Sequence, residues 1–389
     1  MVNERLKASV IAEINSREQE LGELSRKIHE NPETAFQETK AVAWLTQYLS
    51  DNGFSIEKGI CALPTAFRAS YGRGKPALAL LAEYDALPKI GHACGHNIIA
   101  TSAVGAAVAA KHAVAELGGQ VLVFGTPAEE GQGGKILMAD RGGFDNIDAA
   151  MIVHPGSHNT ATTFALAAQG LTVEFFGKAA HAAASPEQGI NALDAMLLSF
   201  AAINGLRQHI KSKARIHGII TDGGQAANIV PAHTAADFLV RADEDKYLDE
   251  LKKRVINCFQ GGAMATGARL EYKWSDVRYA TMKNNMTLAR LFKQNMESLG
   301  RKIRLYEASE GSGSTDMGNV SHLVPSIHPF VAIAPRGAAV HTIEFAAAAA
   351  SETGMRGLHD AAKALALTVV DLLANPKTVR QARKEFQEE

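Results

Sequence analysis

Apolar residues recur at helical spacing from Leu6 to His29 (Leu6, Val10, Ile11, Ile14, Leu21, Leu24, Ile28), and Asn31-Pro32 stops the pattern. A second helix is predicted over Thr39–Leu49, closed near Asn52-Gly53. Residues 65–71 and 77–82 read as strands split by the Gly72-Arg73-Gly74 turn. An Ala-rich helix then runs to about Leu117, and compact apolar strands follow at Gln120–Phe124 and Ala149–Val153. Strands alternating with helices predict an α/β layer fold, a mixed sheet with helices on both faces.

The pattern changes near residue 165. Leu171–Phe176 alternates as a half-buried strand, and Pro186–Leu206 reads as a long helix. Strands at Arg215–Thr221 and Thr234–Arg241, a helix at Lys246–Phe259 and a strand at Arg269–Trp274 complete a split βαβ order. From about Asn284 long helices return, with a buried strand at His328–Ala334. The simplest organisation is one discontinuous α/β domain, 1–166 and 284–389, interrupted by an α+β (ferredoxin-like) domain at 167–283.

Composition removes several function classes. At 389 residues, 46% apolar and 21% charged, with a net charge of −1, the chain reads as an ordinary globular protein with no basic stripe for nucleic acid. The longest apolar stretch, Ile98–Ala110, is too short to span a bilayer, so no membrane partner is expected. Cys61, Cys94 and Cys258 are too few and scattered for a disulfide framework, and Met1–Val10 lacks the apolar core of a signal peptide. A cytoplasmic protein is expected.

The chemistry gathers where apolar strands end. After the run Ala77–Ala82 comes Glu-Tyr-Asp-Ala-Leu-Pro-Lys-Ile-Gly-His-Ala-Cys-Gly-His-Asn, residues 83–97, with His92, Cys94 and His96 on a loop that hands over to a helix. A thiolate and an imidazole two residues apart can turn toward one transition-metal ion, zinc above all. Glu129-Glu130 follow the next strand between Pro127 and Gly131, and His154-Pro155-Gly156 the one after. Three successive strand ends carry metal-ligand residue types. At Glu129-Glu130, one carboxylate can bind a cation and the other serve a water as general base. His341 also reads as a strand-end histidine; His322 and His328 have no special loop around them, and His92 could support the loop by a hydrogen bond. Cys94 as a nucleophile would need a base, and His96 cannot easily face it from the same loop. Cys61 and Cys258 read as ordinary buried cysteines. His181, in Gly177-Lys-Ala-Ala-His181-Ala, and Asn228, in Gly223-Gly-Gln-Ala-Ala-Asn228-Ile-Val-Pro231, read in isolation as turn residues.

Together these motifs resemble the aminoacylase/carboxypeptidase family of metallopeptidases, family M20. They are most similar to its amidohydrolase branch, near the p-aminobenzoyl-glutamate hydrolases and β-alanyl-lysine dipeptidase-like proteins, to which Gly313-Ser-Thr-Asp-Met-Gly-Asn-Val-Ser321 also points. The resemblance implies a catalytic domain with two divalent ions, zinc or manganese, and an inserted lid that also forms a homodimer. It implies Cys94, His96, Glu130, His154 and His341 as metal ligands, with Cys94 bridging, and Glu129 as general base. It implies His181 as a lid histidine that steadies the oxyanion at the partner subunit's site, and Asn228 and Arg241 as residues holding a substrate carboxylate. Asn97 stands where most of the branch has Asp, which removes a carboxylate beside the ligand loop. The expected activity is hydrolysis of the amide bond of a small N-acyl amino acid, an aminobenzoyl-glutamate-like conjugate or a dipeptide. The alternatives are hydrolytic deamination of an aromatic amine on the same site, a non-catalytic binding protein, and a redox role for Cys94.

Overall fold

The computed structural model describes residues 2–306 and 313–388. Its strands are β1 Ser55–Lys58, β2 Phe67–Arg73, β3 Ala77–Ala82, β4 Gly119–Gly125, β5 Ala149–Met151, β6 His154–Gly156, β7 Ala167–Phe176, β8 Arg215–Asp222, β9 His233–Ala242, β10 Arg269–Tyr279, β11 Ser326–Ile327 and β12 Phe330–Ala332. The chain forms two compact units: Ala165–Thr281 with 313–315 makes one, and the remaining described residues make the other.

The discontinuous unit is built on a mixed sheet in the order β1-β2-β4-β3-β5-β11. β3 runs parallel to β4 on one side and β5 on the other, and β11 extends the parallel part. β1 and β2 form an antiparallel edge. Every residue of β3 is buried, as expected of a parallel strand covered on both faces, and its sequence is correspondingly an unbroken apolar run. The chain leaves β3 for β4 on one flank and then crosses to β5 on the other. The carboxyl ends of these strands therefore flank the point where the winding reverses, the place open α/β sheets use for chemistry. The helix His96–Leu117 packs on β3, β4 and the helix Glu352–Ala374. The apolar stretch Ile98–Ala110 is thus part of a longer helix whose 22 residues are long and apolar enough to cross a bilayer. Most of it is buried, which explains its composition as that of a core helix.

Two predicted elements are divided and one is shortened. The first helix breaks at Arg17 into Val2–Ser16 and Glu18–His29. The strand expected at His328–Ala334 shortens to β12; a separate strand, β11, precedes it, and the two pair with different partners, β6 and β5. Pro329 between them has no N–H to continue a ladder. The helix expected from Pro186 begins at Ala192, where the Asn191 side chain accepts from the N–H groups of Leu193 and Asp194; Pro186–Gln188 is a short 3-10 turn.

The continuous unit is an antiparallel sheet in the order β10-β7-β9-β8, covered by the helices Ala192–Arg207 and Asp245–Thr266. Its β-α-β-β-α-β order is the split βαβ arrangement. β9 alternates in burial, and Thr234, Ala236, Phe238, Val240 and Ala242 face the core of this unit.

Candidate metal centre

The ligand loop requires glycine at one position. Gly95 has φ +79°, and a Cβ there would stand 2.5 Å from Pro155 Cγ. Without a side chain it lets the loop turn sharply into the helix that starts at His96, against the His154 loop. Cys94, His96 and His154 are buried together. Cys94 Sγ lies 3.3 Å from His154 Nε2, and Glu130 Oε1 lies 3.1 Å from His341 Nε2. His96 Nε2 is 4.0 Å from Glu129 Oε2. Donor atoms of Cys94, His96 and His154 fall within 4.8 Å of one another, as do those of Cys94, Glu130 and His341, and those of His96, Glu129 and Glu130. Cys94 belongs to two of these groups.

Two hydrogen bonds aim the imidazoles. His96 Nδ1 donates to the Asp85 carbonyl, 2.8 Å, and approaches Asp85 Oδ1 at 3.1 Å, which turns Nε2 inward. His154 Nδ1 donates to the Pro155 carbonyl at 2.6 Å, which leaves Nε2 toward Cys94. His96 Nε2 is buried and has no hydrogen-bond partner. Two donors on one ion at about 2.0–2.3 Å stand roughly 3–3.6 Å apart, so the spacings here suit a divalent cation. An orphaned inward imidazole nitrogen beside a thiol and carboxylates is a good fit to zinc or manganese.

Asp85 does more than hold His96. Its Oδ2 accepts the backbone N–H of Glu130 at 3.0 Å, so one buried carboxylate ties the ends of β3 and β4 together. Two backbones at the site are left-handed without being glycine: Ala128, φ +59°, and His341, φ +64°. Such conformations cost about 1–3 kcal/mol each and persist where surrounding contacts enforce them. Ala128 N–H donates to buried Glu38 Oε1 at 3.0 Å, and His341 N–H donates to the Ala93 carbonyl at 2.9 Å. His341 reaches the centre from this strained loop, several residues beyond β12, and not from a strand end.

Electrostatics separates the possible chemistries. Burial pushes the Cys94 thiol well up, and burial pulls His154 down to about 4. His154 faces Cys94 as a possible base, but the proton stays on sulfur in this pair. A thiolate here requires a cation beside it, as a ligand and not as a free nucleophile. Burial, then Glu83, Asp316 and Glu130, push Glu129 well above the usual carboxylate range. Burial works against the charge on Glu130, but its bond with His341 together with the charges of His96 and His341 outweighs it and lowers its pKa; the same bond raises His341.

Three residues to which the sequence alone assigns no role complete the cluster: Glu83, Lys135 and Asp316. Lys135, fully buried, pairs with Glu83 Oε1 and, at 2.6 Å, with Asp316 Oδ1. Asp316 Oδ2 accepts the Lys135 backbone N–H at 2.9 Å. A lysine inside the apolar helix Gly134–Asp140 and the Asp of Gly-Ser-Thr-Asp were the available clues. Asn97 faces elsewhere: its Nδ2 donates to Ser25 Oγ and the Ala349 carbonyl, so it braces helices while Asp85 orients His96. His92 and His328 are buried but belong to none of the groups above. Cys61 and Cys258 are free and half-buried, and not buried as expected.

His181, Asn228 and Arg241 lie in the continuous unit. The structure joins the first two: Ala182 N–H donates to the Asn228 carbonyl at 3.0 Å, and His181 bridges Ile229. His181 Nδ1 accepts from the N–H groups of Ala183 and Ala184, which leaves its other nitrogen exposed as a donor. Arg241 is half-buried and donates to Ser314 Oγ at 3.0 Å.

Comparison with known proteins bears on this arrangement. Residues 79–368 match the family described as Peptidase family M20/M25/M40. The chain is 38% identical over 399 residues to Xaa-Arg dipeptidase of Mus musculus, with 98% of this chain and 92% of that protein covered. It is 30% identical over 452 residues to one of the p-aminobenzoyl-glutamate hydrolase subunits of Escherichia coli strain K12, with 96% and 93% covered. In fold it matches a dinuclear metal-binding peptidase of the M20 family from Bacillus subtilis, with a TM-score of 0.73 at 21% identity over 92% of this chain and 99% of that one. The chain belongs to Peptidase family M20/M25/M40 and is a hydrolase that acts on amide bonds.

Proposed function

We propose that this hydrolase cleaves the amide bond of a dipeptide or a small N-acyl amino acid with two divalent cations, zinc or manganese. The convergence of Cys94, His96, Glu130, His154 and His341 beside Glu129 carries this reading. These five side chains hold the cations, with Cys94 shared. When bound, the cations supply Lewis acidity to a water and to the scissile carbonyl. Glu129 takes the proton from the attacking water and delivers it to the leaving amine nitrogen. His181 donates to the tetrahedral oxyanion, and Asn228 and Arg241 hold the substrate carboxylate. The pairing of the His181 and Asn228 loops supports a joint role for them. Dipeptides are the first substrates to test, because the relative with 38% identity is named a dipeptidase. The test is release of free amino acid after chelation and re-addition of Mn²⁺ or Zn²⁺. The panel holds Xaa-Arg dipeptides, β-alanyl-lysine, p-aminobenzoyl-glutamate and N-acetyl amino acids. Metal-dependent cleavage of at least one is expected; metal-loaded protein that cleaves none would sink the proposal.

The continuous unit is proposed to act as a lid that pairs two subunits. β8 is an edge of its sheet and carries exposed Ile219 and Ile220, and the adjoining helix exposes Leu197 and Leu198. A free apolar strand edge is a ready surface for a second copy of itself. Sedimentation velocity should give a dimer for the native chain and a monomer for Ile219→Lys. A native monomer at micromolar concentration would rule this out.

A further inference from the structure

We propose that Glu83 is an additional metal-binding carboxylate of this centre, held in place by the buried pair Lys135–Asp316. The inference rests on the two-metal reading above. Glu83 is the first residue after β3 and, though a carboxylate, is only 1% exposed. Its two oxygens have different neighbours. Oε1 pairs with the Lys135 ammonium. Oε2 receives no hydrogen bond and stands 3.6 Å from His96 Nε2, the nitrogen that Asp85 leaves free by binding Nδ1.

Both atoms point at one gap: with its proton on Nδ1, the tautomer a metal-bound imidazole takes, His96 presents a lone pair at Nε2, and Glu83 Oε2 presents another to the same ion. Their separation matches that of two ligands on one ion, which is about 3.4 Å for tetrahedral N and O donors. Lys135 cannot fill the gap, because its Nζ is committed to Glu83 Oε1 and Asp316 Oδ1. It has a different use: it fixes the Glu83 carboxylate from behind and leaves Oε2 forward. Asp316 in turn fixes Lys135 through both its ammonium and its backbone N–H. The result is a preoriented carboxylate beside His96.

The test is metal affinity, measured by titrating Mn²⁺ or Zn²⁺ into chelated full-length protein. Glu83→Gln can still accept the Lys135 bond with its carbonyl oxygen, but it turns an amide toward His96. We expect native protein to bind two ions and Glu83→Gln to bind one of them at least about tenfold more weakly. Unchanged affinity for both ions in Glu83→Gln would overturn the proposal and leave the two-metal reading standing. Failure of the native protein to bind metal would overturn both. Should the variant fold poorly, crystals of metal-loaded native protein decide the matter. An ion within about 2.5 Å of Glu83 Oε2 supports direct ligation, and a longer separation from both ions refutes it.

Discussion

Replacing Glu129 by glutamine is expected to lower kcat about 10²–10⁴-fold while metal content stays at the native level. Glutamine keeps the shape of the side chain but cannot take a proton from water. Glu129 shares a donor group with His96 and Glu130, 4.0 Å from His96 Nε2, and is not one of the five side chains proposed to hold the cations. Its carboxyl is pushed up by burial and by Glu83, Asp316 and Glu130, which favours the proton it must accept; cations bound nearby pull in the other direction. A general base works only when deprotonated, so kcat/KM should rise with pH through the Glu129 titration. In Glu129→Gln that acid limb should vanish, which a loss of metal alone would not produce. Elemental analysis beside the pH profile separates the two. Near-normal turnover in the variant would refute the role.

The parts of this design that could be read in the sequence are those that neighbouring residues determine. The apolar run Ala77–Ala82 is the strand β3 residue for residue, because a strand buried on both faces needs no polar alternation. The loops after β3, β4 and β5 announced their candidate ligands through residue type and glycine spacing, and the structure brings these side chains together. The late start of the strand expected at His328–Ala334 was also visible in Pro329, had its missing N–H been weighed against the apolar pattern. What could not be read joins distant segments. Asp85 binds both His96 and the Glu130 backbone, and nothing local distinguishes it from Glu83 two residues earlier. Lys135 and Asp316 are 181 residues apart. The strained backbones of Ala128 and His341 have no local cause; they follow from hydrogen bonds to Glu38 and Ala93.

Stranding the carboxylates of the Lys135–Glu83–Asp316 cluster should weaken the discontinuous unit strongly, and Lys135→Met should cost it about 3–5 kcal/mol in metal-free protein. Methionine replaces the packing of the lysine stem but leaves two buried carboxylates without their cation. Burial opposes the Lys135 charge, yet Asp316, Glu83 and Glu129 outweigh it and raise its pKa. A lysine raised in the folded state contributes its stability below its unfolded value, about 10.4, and loses it only above that, so the lysine's own share is constant between pH 5 and 9. The variant should behave differently. Burial already raises Asp316 to about 6 in the native protein against the pull of Lys135; without the lysine it rises further, so the folded variant takes up a proton and is favoured as pH falls. The deficit against native protein should therefore shrink from pH 8 to pH 5, whereas a packing defect would not depend on pH. Adding Asp316→Asn to Lys135→Met should recover part of the loss, a coupling of at least about 1 kcal/mol. Urea unfolding read from Trp44 in a Trp274→Phe background reports this unit by itself, since Trp44 belongs to it and Trp274 to the other. A small or pH-independent deficit, with no recovery in the double variant, would show that Lys135 is held by packing and that its charge does not organise the carboxylates around Glu129.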